Sequence, residues 1–498
     1  MLTTVLTVMT LLILILAFGM LILYSLNLYF LMTVAWVRRR QAIVATPQDD
    51  LPLVTVQIPL FNERHVSRRI IDAVARLDWP RDRLQIQVLD DSTDDTRQIV
   101  ADHVQLWRAR GVDISLVHRP TREGFKAGAL ACGMPEARGE FIAIFDADFI
   151  PPSHFLRSTV PALMQEPRAA FIQTRWDHLN REESWLTRIQ SILLDGHFAI
   201  EQFARCYGGF AFNFNGTAGV WRRTAIEDAG GWKSHTLTED LDLSYRAWIR
   251  GWRGLYRRDI ASPAELPPTM TAFRRQQARW AQGGVECARL LLRPIWRSQH
   301  GLLPKIQATM HLLGYLLTSG MVTVMLCYPL LVALMHYHPE SGLIFTVASL
   351  LGPITIAPTI FYIVAQSLLR PLAWRTIATI VMAQVLSLGM AMNTLRATIK
   401  AMIGQRGEFL RTPKFGGSAA RASSYRLRAD VSVLIDVLWG LFCLLAAVIG
   451  IRNGHTFVAV YGLMSCAGSW WVALWTVWPD LRAARTPRAV VARTVKSA

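Results

Sequence analysis

Three hydrophobic patterns follow one another along the chain. The first 37 residues carry no charge and run into Arg38-Arg39-Arg40, longer than the roughly 20 residues a spanning helix needs. From about Leu53 to Asp259 short apolar runs alternate with amphipathic stretches, the βα signature of a mostly parallel sheet. This spacing predicts strands over Val54–Leu60, Leu84–Leu89, Ile114–Val117, Phe141–Phe145 and Phe214–Trp221. It predicts helices over 66–77, 93–110, 125–137, 185–207 and 240–250, then one over 270–292 with basic and aromatic faces. Beyond Leu303 the apolar runs lengthen to 312–334, 343–368, 372–402, 431–449 and 458–478.

Five such runs need not be five spans. Counting all of them would put the basic stretch Lys400–Arg428 outside, against the positive-inside bias. The run 372–402 has Arg370 and Arg375 at one end and Arg396 and Lys400 at the other; these share one side only if the run lies in the interface or re-enters. The expected architecture is therefore one transmembrane anchor over 1–37, its N-terminus outside, and a cytoplasmic α/β domain over 50–265. An amphipathic interfacial helix follows over 266–303, and a transmembrane pair over 304–368. An interfacial or re-entrant helix with a basic loop fills 369–430, before a second transmembrane pair over 431–478 and a basic cytoplasmic tail over 479–498. A cleaved signal peptide does not fit the first segment, which lacks a basic n-region and a small-residue cleavage site.

Composition supports this reading, with 52% hydrophobic and 18% charged residues against the roughly 25% charged of soluble domains. The net charge of +17 crowds at the ends of apolar segments, as membrane topology and anionic lipid require, so no nucleic-acid partner is expected. Six cysteines without a C-x-x-C read as buried free thiols.

The candidate chemistry starts where the strand at 141–145 ends in Asp146-Ala147-Asp148. Two acids at the carboxyl edge of a parallel strand can hold a divalent cation, and through it a diphosphate, or can be a solvated turn. Asp90 and Asp91 close the second strand before a helix, suiting an N-cap or hydrogen bonds to a base or ribose. Lys126 opens a helix between Gly124 and Gly128, where charge and helix N-terminus attract anions. Glu239, Asp240 and Asp242 open another helix, which the helix dipole explains for one or two of them; a third could act as a general base. Gln276, Arg279 and Trp280 bring an amide, a cation and an aromatic face at helical spacing, or form a basic helix on the membrane surface.

Together these residues resemble the D, D, D, Q-x-x-R-W signature of family 2 membrane glycosyltransferases, the group of cellulose, chitin, hyaluronan and mannan synthases. Order and spacing match from Asp90 to Trp280, and the flanking apolar segments resemble the family too. Phe214-Asn215-Gly216-Thr217-Ala218-Gly219-Val220-Trp221-Arg222 and Gln276-Gln277-Ala278-Arg279-Trp280 look most like the plant cellulose-synthase-like mannan and glucan synthases and their bacterial relatives. The resemblance implies a GT-A type fold, with Asp90 and Asp91 at the donor's nucleoside and Lys126 beside them. It implies Asp146 and Asp148 at the diphosphate with Mg2+ or Mn2+, and Asp240 of Thr238-Glu239-Asp240 as catalytic base with Glu239 adjoining. Gln276, Arg279 and Trp280 would frame the acceptor and leaving diphosphate, and Asn215, Gly216 and Thr217 would line the acceptor side. Phe409-Leu410-Arg411-Thr412-Pro413-Lys414 keeps the Phe, Thr and Lys of the family's F-x-V-T-x-K gating loop and has Arg in place of Val.

The implied activity is inverting transfer of a hexose from a nucleotide sugar, of UDP-glucose or GDP-mannose type, to a growing β-glycan, with coupled export across the plasma (inner) membrane. The catalytic domain would face the cytoplasm. A non-processive enzyme glycosylating a diacylglycerol, ceramide or polyprenyl phosphate would show the same carboxylates. A transporter would need ionisable groups inside the spans, where Asp436 is the one acid.

Overall fold

The computed structural model describes residues 1–43, 46, 48, 50–339, 342, 354, 356–405, 407 and 432–485, with side chains to residue 478. Its centre is a seven-stranded sheet: β1 (Val54–Leu60), β2 (Leu84–Asp90), β3 (Ile114–His118), β4 (Phe141–Ile144), β5 (Ala169–His178), β6 (Gly219–Arg222) and β7 (Arg253–Ala264). The strand order is β3-β2-β1-β4-β6-β5-β7. β1 pairs in parallel with β2 and β4, β2 with β3, and β5 with β7; β6 runs antiparallel to β4 and β5. The chain winds outward from β1 through β2 to β3, then returns to the other side of β1 with β4. The crevice outside β1 and β4 is thus a topological switch point, where open α/β sheets bind ligands.

β1 and β2 alternate apolar and polar residues although both faces are covered, so their polar side chains pair with each other. Thr55 donates to Gln85 at 2.8 Å and Gln57 to Gln87 at 3.0 Å, inside the core. The helix Phe125–Gly133 crosses this ladder with Gly133 against it; a Cβ there would stand 2.7 Å from the Gln57 amide. The apolar positions Val54, Val56, Ile58, Ile86, Val88 and Phe145 pack into one core on the opposite face. A second core gathers Ile142, Ile144, Phe171, Phe198 and Trp221, and includes Leu31 and Ala35 from the N-terminal helix and Phe361 from a C-terminal one. The α/β domain therefore shares its core with the apolar helices.

Several expected helix ends shift by a few residues, the helix from Phe125 ending at Gly133 and that from Met270 running on to Arg297, and two elements differ in kind. The strand expected from Phe214 begins only at Gly219, because Gly216 and Ala218 take left-handed φ values of 79° and 55° and turn 214–218 into a loop. The helix expected over 185–207 is continuous but has a π-turn at His197–Glu201. Helix Phe155–Gln165 and strands β5 and β7 had no clear pattern: the helix contains Pro161, and β7 carries Arg253, Arg257, Arg258, Asp259 and Pro263. Cys132 is exposed rather than buried.

Among the described residues four helices are long and apolar enough to cross a membrane: Leu2–Val37, Leu316–Met335, Ser432–Arg452 and Thr456–Trp478. Trp374–Gly389 and Ala391–Met402 form a pair bent by 46°, a broken span or a re-entrant loop. The run expected over 343–368 lies partly outside the described residues; its described portion ends in the short helix Ala357–Leu369.

Trp221 is fully buried between Phe171, Phe214 and Trp232, and its loss should open a cavity that the four-residue strand cannot close. Trp221→Ala should cost about 3–5 kcal/mol, read as a lowered thermal midpoint of the purified protein; an unchanged midpoint would show that the junction of the two sheet halves is not held by this cluster.

Candidate active site

The register of the sheet assembles the site. Leu60, Asp90 and His118 stand at one level at the carboxyl edge, and Ile144 is level with Gln57 and with Gly219. The residues after β1, β2 and β4 and the loop before antiparallel β6 therefore all open on the same crevice. Helices Glu239–Ile249 and Met270–Arg297 close it from the other side. A cavity of about 170 Å³ results, lined by Asp91, Lys126, Asp146, Asp148, Asn215, Gly216, Glu239, Asp240, Gln276, Arg279 and Trp280. Asp90 and Thr217, also expected in the site, stand behind its wall. Asp90 is fully buried, accepting from the Ser92 amide and pairing with His118. Thr217 is buried and its hydroxyl accepts from the Asp146 amide at 2.8 Å. Phe409, Thr412 and Lys414 lie outside the described residues.

Lys126 is the counter-charge of the cavity. The left-handed backbone of Gly124 and Phe125 starts its helix so that the ammonium reaches across to Asp146 at 2.5 Å and to the Gly216 carbonyl at 2.8 Å. Glu239 lies 4.0 Å away. Burial alone would depress the Lys126 pKa, but Asp146, Glu239 and Asp240 outweigh it and hold the ammonium above its ordinary value. Asp240 moves the other way. Burial and then the neighbouring Glu239 push its carboxyl up to about 7, against the opposing pull of Lys126.

On the β2 side Asp91 is gripped through both oxygens by Arg119, which also donates to the carbonyls of Glu123 and Phe125. Arg119 was not among the expected residues, and nothing local marks it: its partner is 28 residues away. Nor were Phe61 and Arg122, whose guanidinium lies 3.6 Å over the Phe61 ring at the cavity wall. The far wall adds Trp176, His178 and Glu265 from the ends of β5 and β7. His178 is fixed by buried Asp195 at 3.0 Å, which also holds Arg181 and Gln366. Asn215 lines the cavity, yet its side chain is engaged by His197 and Gln202.

Asp146 and Asp148 suit a divalent cation that arrives with its ligand. Among the described residues no three acid, His or Cys side chains cluster to hold a metal. Mg2+ and its analogues commonly bind through one or two carboxylates and complete their shell with phosphate oxygens and water. The half-exposed Asp146 and the buried Asp148 supply that partial shell.

Comparison with known proteins agrees with this fold. Residues 52–283 match the family model described as glycosyltransferase like family 2. The chain is 47% identical over 255 residues to glucomannan 4-beta-mannosyltransferase 2 of Arabidopsis thaliana, covering 50% of this chain and 48% of that protein. It is 46% identical over 236 residues to glucomannan 4-beta-mannosyltransferase 1 of Cyamopsis tetragonoloba, covering 47% of this chain and 45% of that one. The chain thus spans about half the length of these relatives. In fold it is similar to a mannosyltransferase from Pyrobaculum calidifontis solved in complex with GDP-Man and Mn2+, with a TM-score of 0.53 and 20% identity, covering 80% of this chain and 100% of that one. The α/β domain has the GT-A fold.

Lys126 already neutralises Asp146 through one oxygen, so a cation at that carboxylate would compete with the ammonium. Lys126→Met should bind Mn2+ more tightly without nucleotide, by roughly tenfold, or about 1.4 kcal/mol, in a calorimetric or electron-paramagnetic titration. Equal or weaker binding would show that the ammonium does not compete for this carboxylate.

Proposed function

We propose, for a chain whose residues 52–283 belong to glycosyltransferase family 2, that it is a membrane-embedded inverting mannosyltransferase. It would extend a β-linked mannan or glucomannan from GDP-mannose and pass the product outward between its apolar helices, its catalytic domain on the cytoplasmic side. The observation that carries this reading is the meeting in one cavity of Asp91, Lys126, Asp146, Asp148 and Asp240 with Gln276, Arg279 and Trp280. The likeness to plant glucomannan 4-beta-mannosyltransferases supports mannose as the sugar transferred.

In this reading the donor's nucleoside lies by Asp91 and Phe61, and its diphosphate by Lys126, Asp146 and Asp148. A Mg2+ or Mn2+ held by the two Asp and the donor's phosphates would supply charge stabilisation to the leaving group. Arg279 faces the same cavity and adds a fixed cation there. Trp280 offers a ring face, and Gln276 an amide, to the terminal sugar of the acceptor. Asp240 accepts the proton of the acceptor hydroxyl as its oxygen bonds to the anomeric carbon. The carbon–oxygen bond to the nucleoside diphosphate breaks on the opposite face, so an α-linked donor gives a β-linked product.

A base works best when its pKa lies near the operating pH, and Asp240 is pushed up to about 7. The base acts only as its carboxylate, so kcat/KM should rise with pH through a limb near that value and be lost below it. Asp240→Asn should abolish transfer while GDP binding persists; persisting transfer would remove Asp240 from the base role. To test the reaction itself, membranes with the chain are given radiolabelled GDP-mannose, UDP-glucose or UDP-N-acetylglucosamine with Mn2+. Ethanol-insoluble, β-mannanase-sensitive label is expected from GDP-mannose. Label confined to organic solvent would overturn the polymer reading.

A further inference from the structure

Asp436 is an acid inside the apolar helix Ser432–Arg452, and it is 1% exposed. Its partner is Arg274, itself 5% exposed, on the helix that carries Gln276, Arg279 and Trp280. Arg274 Nη1 meets Asp436 Oδ2 at 2.5 Å and the Thr476 hydroxyl at 3.2 Å, while Nη2 donates to the Ser432 hydroxyl at 2.8 Å. The Thr476 hydroxyl is spent on its own helix, donating to the Val472 carbonyl at 2.7 Å, so it faces Arg274 as an acceptor. Asn393, on the bent pair, donates to the Arg274 carbonyl at 3.1 Å. Three apolar elements that follow the catalytic domain thus converge on one residue.

The helix geometry gives that convergence a purpose. Gln276, Arg279 and Trp280 follow Arg274 by two, five and six residues, about 200°, 140° and 240° round the helix. They face away from Arg274, towards the cavity. The helix is gripped on one side by the ion pair and presents its amide, cation and indole on the other. Trp280 lies only about 9 Å along the axis from the grip.

Stability is a poor explanation for such a pair. Replacing a buried ion pair by apolar residues of similar volume is often neutral or stabilising, whereas removing one partner strands a charge. Apolar packing alone could also hold the helix, with Met270 and Phe273 already packed among Ile380, Leu386 and Val472. A forked ion pair adds direction, because guanidinium and acceptors must meet at one height and one rotation.

We propose that Arg274 and Asp436 form a register lock: positioning residues that set the height and rotation of the Gln276–Arg279–Trp280 platform against helices Ser432–Arg452 and Thr456–Arg485. The lock would govern acceptor use and product length and leave donor binding, to which Arg279 alone of the three contributes, little changed. It rests on the reading of Gln276 and Trp280 as the acceptor site.

The test uses the full chain in nanodiscs, comparing parent, Asp436→Asn and the double variant Arg274→Met/Asp436→Leu. The double variant leaves no stranded charge, so it should fold with a thermal midpoint at or above the parent's. In both variants the acceptor-oligosaccharide KM should rise, and product length fall, by about tenfold or more, the scale of loss from slight misplacement of a reacting group. GDP affinity should stay within about twofold, a split that general unfolding would not produce. A double variant with the parent's acceptor KM and product length overturns the lock. A parent that forms no polymer overturns the functional reading instead, and is recognised before any variant is compared.

Discussion

One ammonium stands where four carboxylates must be kept together. Asp146, Asp148, Glu239 and Asp240 line the same cavity, and like charges at that spacing favour protonation or separation of the loops that carry them. Lys126 bridges Asp146 and the Gly216 carbonyl and lies within 4.0 Å of Glu239. It joins the end of β4, the loop before β6 and the start of the helix Glu239–Ile249. Those are the three pieces of backbone that meet at the switch point. The rest of the site follows from their meeting: the acids sit close enough to share one ligand, and one of them stays poised at a raised pKa.

The site is also built into the apolar helices rather than suspended beside them. Asp195 holds His178 at the cavity and Gln366 on Ala357–Leu369. Arg205 donates to the Gln307 carbonyl, and the Gln307 amide donates to Asn27 of the N-terminal helix. With Arg274 and Asp436, these give three separate polar ties, each buried. In an apolar setting an unpartnered polar group is expensive, so each tie specifies one docking geometry. A processive site of the kind proposed above, at the mouth of a membrane bundle, would need such fixity, because its acceptor would have to stay in line through successive additions.

What was legible in the sequence was whatever physical chemistry writes locally. β1, β2 and β4 read directly from their apolar periods, and Asp146, Asp148, Glu239, Asp240, Gln276, Arg279 and Trp280 from short motifs at strand ends and helix starts. The sheet edge brought the first two to the crevice, as parallel winding requires, and the two helices that close it brought the others. Illegible were the partners brought by long-range topology: Arg119 for Asp91, Asp195 for Gln366 across 171 residues, and Arg274 for Asp436 across 162. β5 escaped because its end holds polar and charged side chains at the site's rim, and β7 because Arg253, Arg257, Arg258, Asp259 and Pro263 interrupt its apolar run. Phe214–Ala218 misled for the opposite reason, since its apolar pattern reads as strand while two left-handed residues forbid one.

That loop shows how far side-chain ties shape local structure. The Gln202 amide donates to Asn215, the Asn215 amide donates to His197 Nε2, and His197 Nδ1 faces Glu201 at 3.0 Å. With Nε2 accepting, the His197 proton must sit on Nδ1 and point at the Glu201 carboxylate, which burial would raise but Arg205 and the histidines hold well below its usual value. The π-turn at His197–Glu201 places both ends of this chain on one helix, a distortion that often marks functional segments. Asn215 is thereby committed to holding the loop, and its neighbour Gly216 lines the cavity as bare backbone. Gly216 has φ 79°, and a Cβ there would stand 3.0 Å from Asp240 Oδ2 and 3.2 Å from Lys126 Nζ. Any larger residue would fill the gap between the Lys126 ammonium and the Asp240 carboxylate. The loop is a loop, and not the strand its residues would otherwise form, because Gly216 and Ala218 take left-handed backbone, and under the proposed function the gap that it keeps open is where the reactants would meet.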